Sequence, residues 1–458
     1  MLYESEPGDL DITLAGDTML TRRLSVYKEP RFLALAELFR SADVGFVNLE
    51  GSVRRLEEGA PGITRGTYMT TAPELLDDLK WFGVNMVSCA NNHAFDYGED
   101  GMMATIRHLD RARIAHAGTG ANLAFARAPA YLETRHGRVG MVSATATYRP
   151  WNTAGAQRRD LPGRPGVNPL ANSKTYHVDG EAFDALRRMN RELGFDQEKA
   201  RARGHFYSAK EIHDDDATSL DIFGARIHRA NDFSIESAAD ADDAAENLRW
   251  LREARRQADW VMFSLHYHEF GGKSLKAAKT RTEIAEPADF VVDVAHRAID
   301  AGADIFVGHG SHIPLGIEIY KGKPILYSVG NMVFQNETVP FFPDTAYARF
   351  DLGPDATPAD FLDARTDGGR KGHPAHAGFW ENIVVRVAFR GGKLREIRVH
   401  PIEQGFGRPR AQRGRPMVAE GKVAVRVLAR VKELSALYGT KMQVSKNTGL
   451  IRLSSSRR

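Results

Sequence analysis

Five short apolar runs in this chain each end on a residue that binds metals or moves protons. Asp11-Ile-Thr-Leu-Ala-Gly-Asp17 closes on a glycine and a carboxylate, and Val44-Gly-Phe-Val-Asn-Leu-Glu50 closes on a second carboxylate. Val84-Asn-Met-Val-Ser-Cys-Ala90 runs into Asn91, Asn92 and His93, Asp259-Trp-Val-Met-Phe-Ser-Leu265 into His266, and Ala303-Asp-Ile-Phe-Val-Gly308 into His309. The segments Ala72 to Phe82, Gly101 to Arg113 and Pro287 to Ala301 carry apolar residues at three- and four-residue spacing, the period of an amphipathic helix. Strands alternating with helices predict an α/β fold whose sheet is mostly parallel and covered on both faces. In such sheets ligands collect beyond the carboxyl ends of the strands, which is where all five runs deliver their polar residues.

Asp and Glu are hard anionic ligands, Asn offers a carbonyl oxygen and His a neutral imidazole. Such a set suits Mn, Fe or Zn and, with more oxygen donors, Ca or Mg. Cys89 is the only cysteine, so there is neither an internal disulfide nor a thiolate-built zinc site. It sits in an apolar strand and reads as a small packed hydrophobe. "GHGSH", Gly308 to His312, places two His three apart on a glycine-bearing loop, where both can face one cavity. His93 and Asp96 make a dyad in which a carboxylate fixes the tautomer of the ring and raises its basicity. Asp96 reads equally as a cap for a helix starting near Glu99. His268 and Glu269 form a second acid/base pair or extend the polar face of a strand.

The rest of the chain completes the outline. Gly316 to Val329 and Asn382 to His400 each read as a β-hairpin around a Gly-containing turn, and Gly421 to Tyr438 as an amphipathic helix. The Ser/Arg-rich end reads as frayed. Tyr148 to about Ala258 fits the sheet poorly, with helical pieces near 181–193 and 244–257, and Phe341 to His376 reads as loop. Long insertions of this kind serve as lids or binding loops. Arg149, Arg158, Arg159 and Arg164 suit an acidic polymer or a terminal carboxylate, or else a solvated basic loop. Trp151 and Trp380 frame a peptide side chain or pack in the core. The formal charge of +3 is close to neutral for 458 residues, so it points to neither nucleic acid nor an anionic membrane as partner. The N-terminal residues lack an apolar signal region and no run is long enough to span a membrane, so the expected compartment is the cytoplasm.

"AGDTML" (Ala15–Leu20), "NLEGS" (Asn48–Ser52), "ANNHAFDYG" (Ala90–Gly98), "LHYHEF" (Leu265–Phe270) and "GADIFVGHGSHIPLGIEIYKGKPILYSVGN" (Gly302–Asn331) together resemble the CapA, or poly-gamma-glutamate biosynthesis, family. The motifs stand in the family's order and span roughly residues 10 to 335. That family is similar to calcineurin-like metallophosphoesterases. The resemblance implies a β-sandwich flanked by helices, with insertion loops and a metal site at the strand ends. It implies a CapA-type domain over 1–340 with an insertion at about 148–258, and a loop, β-hairpin and C-terminal helix over 341–458 completing the same domain.

Carried over residue by residue, the resemblance makes Asp17, Glu50, Asn92, His266, His309 and His312 metal ligands for one or two divalent ions. It makes His93 the acid/base residue. The residues themselves add Asp96, His266 and His268 as further catalytic candidates and Arg149 and Trp151 as candidate substrate contacts. The departures are Met19 where phosphoesterases carry a His, Glu50 in place of Asp, and His-x-x-His in place of His-x-His. They imply that one of two metal positions is altered or absent. The expected activity is metal-dependent acid/base chemistry on a peptide or polyglutamate-type amide. The alternatives are peptide Cα-epimerisation, phosphoester hydrolysis and a non-catalytic role in capsule assembly.

Overall fold

The strand Leu10–Met19 is buried along nearly its whole length, and that follows from its neighbours. It pairs parallel with Val44–Leu49 on one side and antiparallel with Glu381–Arg390 on the other, and its last residues also pair parallel with Asn331–Phe334. A strand hydrogen-bonded on both edges and covered on both faces must be apolar throughout, which explains the unbroken run in the sequence. The computed structural model describes residues 8–64, 66–205, 212–272 and 274–453. The Ser/Arg-rich end and most of the acidic N-terminal stretch lie outside them.

Two large sheets face each other. In the first, Met86–Ser88 and Ala115–Ala117 extend the parallel side, and the hairpin Glu381–Arg390/Lys393–Glu403 extends the antiparallel side. The second has the order Ile317–Tyr320, Lys323–Leu326, Ile305–His309, Trp260–His266, Gly137–Thr145, Ala130–Thr134, with its middle strands parallel. Ile12, Leu14, Phe46 and Val385 of one sheet meet Met141, Met262, Ile305 and Val307 of the other in a shared core. The helices Pro30–Arg40 and Leu76–Phe82 cover the outer face of the first sheet. Ala241–Arg255 and Asp289–Asp300 cover the second. The molecule is therefore mixed α/β, but the five runs do not share the single sheet that their alternation with helices suggests. Three lie in one sheet and two in the other, and both sheets turn their carboxyl ends to the same edge. No described helix is long and apolar enough to cross a membrane.

Within 148–258, the strands Asn172–Val178, Ser219–Ile222, Ala225–Arg229 and Ser234–Ala239 form a separate four-stranded sheet. The helix Gly180–Glu192 packs on it through Phe183. Its first and last strands are antiparallel neighbours, with the Asp240 amide donating to the Ala171 carbonyl at 2.7 Å. The segment 341–376, expected to be loop, instead carries the helices Asp344–Ala348 and Pro358–Thr366. Thr357 and Asp360 cap the second helix reciprocally, and Phe361 and Leu362 pack with Phe342, Tyr68 and Tyr97. The polar composition of the segment hides this small satellite core.

Close backbone contact fixes the first strand at its functional end. A Cβ on Gly16 would lie 1.9 Å from the Gly330 carbonyl oxygen, and the Asp17 amide donates to that oxygen at 2.9 Å. Gly16→Ala is expected to cost about 1–3 kcal/mol through overpacking. Urea denaturation should show a lower midpoint with an unchanged slope.

Candidate metal centre

Strand register brings the first polar residues together. Asp17 sits opposite Asn48 on the neighbouring strand, and the Asn48 side-chain amide donates to Asp17 Oδ1 at 2.8 Å. Across the gap between sheets, His266 and His309 are register partners at the ends of adjacent parallel strands. Their Nδ1 atoms lie 3.1 Å apart, and each lies within 3.8 Å of Asp17 Oδ1. Their other ring nitrogens are already engaged, His266 Nε2 with Asn92 Oδ1 at 2.9 Å and His309 Nε2 with Ser264 Oγ at 2.8 Å. Outer partners of this kind turn both Nδ1 atoms toward Asp17, where they can face one cation, and the Asn48 amide nitrogen also lies 3.4 Å from His266 Nδ1. Burial holds the His309 imidazole down at about 4 and that of His266 well below its usual range, so both rings are neutral, as ligands must be.

A second group lies alongside. Glu50, His268 and His312 bring one ligand atom each within 4.8 Å of one another, as do Asp17, His266 and His309. His312 reaches its position from the turn after Ile305–His309, where Gly310 has φ +97° and His312 itself has φ +61°. A Cβ on Gly310 would meet the Tyr267 carbonyl oxygen at 2.7 Å, so only glycine allows this turn to close against the site. Asp17 stands between the groups. Its Oδ1 faces His266 and His309, while its Oδ2 lies 3.1 Å from His312 Nδ1 and accepts the Gly310 amide at 2.9 Å.

Both carboxylate oxygens of Glu50 are buried without a hydrogen-bond partner, and so is His268 Nε2. Burial, reinforced by the charges of Asp17 and Asp96, pushes the Glu50 carboxyl well above the usual carboxylate range. A buried acid with no hydrogen bond to either oxygen is costly unless a cation completes it. The donors present therefore fit divalent metal ions, with Asp17 placed to serve both groups.

His93 stands at the edge of this centre. Its Nδ1 lies 2.6 Å from Asp96 Oδ2, and its Nε2 lies 3.8 Å from Glu50 Oε1. Asp96 also accepts the Met69 amide at 2.7 Å and is buried, so it braces the ring and is not a surface cap. The Asn91 side chain donates to the Leu49 carbonyl and to Asn48, and its Oδ1 accepts the His93 amide, which ties the His93 turn to the Asp17 neighbourhood. A cavity of about 280 Å³ opens onto this region, lined by Asn92, His93, Asp96, Thr147, Arg149 and His268 among others.

The structure thus brings together Asp17, Glu50, Asn92, His93, Asp96, His266, His268, His309 and His312. Asn92 contacts His266 on the side away from Asp17, and His268 lies among the second group of donors. Arg149 lines the cavity, whereas Trp151 is 52% exposed and does not. Met19 is buried in the apolar core, and the second group is built from Glu50, His268 and His312 without it. Arg158 pairs with Asp160, Arg164 with Thr153, and Trp380 is core, its indole donating to the His373 carbonyl. Cys89 is buried and its thiol is pushed up to about 12, so it is no nucleophile. Asn48, Ser264, Arg281 and His373 escape a reading of strand ends. The first two lie inside strands, and the last two open single 3-10 turns too short to show periodicity.

The family described as bacterial capsule synthesis protein, PGA_cap, matches residues 11–336. The uncharacterized protein y4sH of Sinorhizobium fredii is 34% identical over 451 residues, covering 96% of this chain and 92% of that protein. A probable polyglutamine synthesis accessory protein of Mycobacterium tuberculosis is 28% identical over 67% of this chain and 60% of its own. The PGA biosynthesis protein CapA of Bacillus subtilis is 23% identical over 71% of this chain and 63% of its own.

Proposed function

The chain belongs to the bacterial capsule synthesis protein PGA_cap family, and on that footing we propose that it is a divalent-metal enzyme that cleaves an amide bond in a peptide or polyglutamate-type substrate. The observation that carries this reading is the adjacency of two donor groups, shared through Asp17, to a His93–Asp96 dyad at one cavity. The Mycobacterium relative is named for polyglutamine synthesis and the Bacillus relative for PGA biosynthesis, which supports a polymer of glutamine or glutamate residues as the substrate class.

Asp17, His266 and His309 would hold one ion and Glu50, His268 and His312 a second, with Asn48, Asn92 and Ser264 orienting the ligands. A bound divalent ion supplies Lewis-acid polarisation of a carbonyl and acidifies water in its field. Asp96 holds Nδ1 of His93 and so presents Nε2 to the cavity side. From there His93 delivers a proton to the leaving amine as the C–N bond breaks, while the oxygen of the attacking water bonds to the carbonyl carbon and the proton it sheds returns to His93. Asp96 itself is buried, so the inner half of the dyad is shielded from bulk water.

A second reading, phosphoester hydrolysis, draws on the same shared position of Asp17 between two donor groups. One experiment separates the possibilities. The protein is loaded in turn with Mn, Zn, Fe, Ca and Mg and incubated in D₂O with a γ-glutamyl oligomer or an aryl phosphate. Mass analysis of the products then follows. Shortened oligomers with new amines are expected. Full-length oligomer carrying deuterium at Cα would replace hydrolysis by epimerisation, and phosphate release alone would favour the second reading.

A further inference from the structure

The helix Pro358–Thr366 carries a partly buried cation, Arg365, that no acidic residue answers. Arg365 makes no ion pair among the described residues, and its Nη1 donates only to Thr67 Oγ1, at 2.7 Å. Thr67 belongs to the segment that lines the cavity through Thr64 and Gly66, and Arg349 docks on the same segment by donating to the Thr64 carbonyl at 3.1 Å. On the opposite side Arg281 lies with its guanidinium 5.1 Å from the Phe270 ring centre, its Nη2 3.5 Å from the Gly310 carbonyl and its Nε buried without a partner. It too makes no ion pair among the described residues. His373, whose ring stands 5.4 Å from that of His312, feels both guanidiniums.

Removing a guanidinium from water is costly, and structures recover that cost by supplying an anion. Burial lowers both arginines, and the only other charge felt by Arg365 is the like charge of Arg349. Arg281 does feel Asp17, Glu50 and Glu269. Two of those carboxylates are the ones that divalent ions would engage, which leaves Arg281 in need of an anion as well. Paired N–H donors on a planar fork match a carboxylate.

We propose that Arg365, together with Arg281, forms a subsite that binds a carboxylate of the substrate beside the donor groups, and so selects an acidic, glutamate-type peptide. This rests on the amide-cleaving reading for its substrate class, though the binding itself is measurable without turnover. The metal-loaded full chain is titrated calorimetrically with a tri-γ-glutamyl peptide, with its α-carboxamide analogue and with inorganic phosphate.

Wild type is expected to bind the acidic peptide better than the carboxamide. Arg365→Gln should bind the acidic peptide at least about tenfold more weakly, and Arg365→Lys should recover part of that loss. Arg281→Gln should show the same direction, with metal content and melting midpoint unchanged in each variant. Equal binding of the acidic peptide by Arg365→Gln and wild type would overturn the subsite, as would equal binding of peptide and carboxamide by wild type. Tighter Arg365-dependent binding of phosphate than of peptide would overturn the carboxylate assignment. Arginine-dependent peptide binding without cleavage keeps the subsite and removes the amide-cleaving reading, while cleavage with binding that ignores Arg365 does the reverse.

Discussion

On the proposed function, His93→Gln is expected to lower amide turnover by about 10²–10⁴-fold and to leave the metal content per chain unchanged. The size is what a positioned acid/base group contributes. The separation of the two effects follows from geometry. His93 belongs to neither group of three donors, and its Nδ1 is committed to Asp96 at 2.6 Å. Glutamine preserves a side chain that can hydrogen-bond in the same space but carries no exchangeable ring proton. Asp96→Asn should act in the same direction with a smaller effect, because it disturbs the tautomer and orientation of His93 while leaving the ring in place. Elemental analysis and single-turnover kinetics on the same samples check both statements. A His93→Gln protein that has lost its metal, or one that turns over normally, is incompatible with the assigned role.

Asp17→Asn is expected to empty both candidate metal positions, whereas Glu50→Gln should empty one. Wild type should bind about two divalent ions per chain, Glu50→Gln about one and Asp17→Asn close to none. The asymmetry comes from Asp17 turning one oxygen to His266 and His309 and the other to His312, while Glu50 serves only the second group. The two variants should also part in stability. Saturating metal at about 1,000 times its Kd stabilises the fold by about 4 kcal/mol, so chelation lowers the wild-type melting midpoint. With chelator present, Glu50→Gln should melt no lower than wild type. It removes a buried, partnerless carboxylate that is crowded by Asp17 and Asp96. Metal analysis and calorimetric melts with and without chelator read all of this together. Equal ion counts in Asp17→Asn and Glu50→Gln would show that Asp17 is not shared.

The strand ends were legible because burial on both faces forces an apolar run, and the first polar residue after it then stands out. That is how Asp17, Glu50, His266, His309 and His312 can be picked from the sequence and how the hairpin at 381–403 can be drawn. Asn48 and Ser264 were not legible. Each sits inside a strand, where a single polar residue reads as chance until register places it beside Asp17 or His309. Division into two sheets was also hidden, since alternation of strand and helix is the same for one sheet or two. The sheet at 172–239 is built from strands as polar as Asn-Ser-Lys-Thr-Tyr-His-Val, which carry no clean alternation. Arg281 and His373 open short 3-10 turns, and Arg365 lies in the last turn of the helix Pro358–Thr366, all far along the chain in segments whose composition reads as loop. Only tertiary packing, such as Phe361 and Leu362 against Tyr68 and Tyr97, brings that part of the molecule to the centre.

The pairing of Asn172–Val178 with Ser234–Ala239 has a consequence for how this chain can vary. Entry to and exit from the four-stranded unit pass through one hydrogen-bonded neck, at Ala171 and Asp240. The framework outside it is held by its own strands and helices, and the entropy of closing a loop grows only slowly with its length. The unit is thus a cassette entered through one neck and docked by Ser237 against the start of the Asp289–Asp300 helix. It can lengthen, shrink or be exchanged between relatives while the ends that hold Asp17 and the histidines keep their spacing.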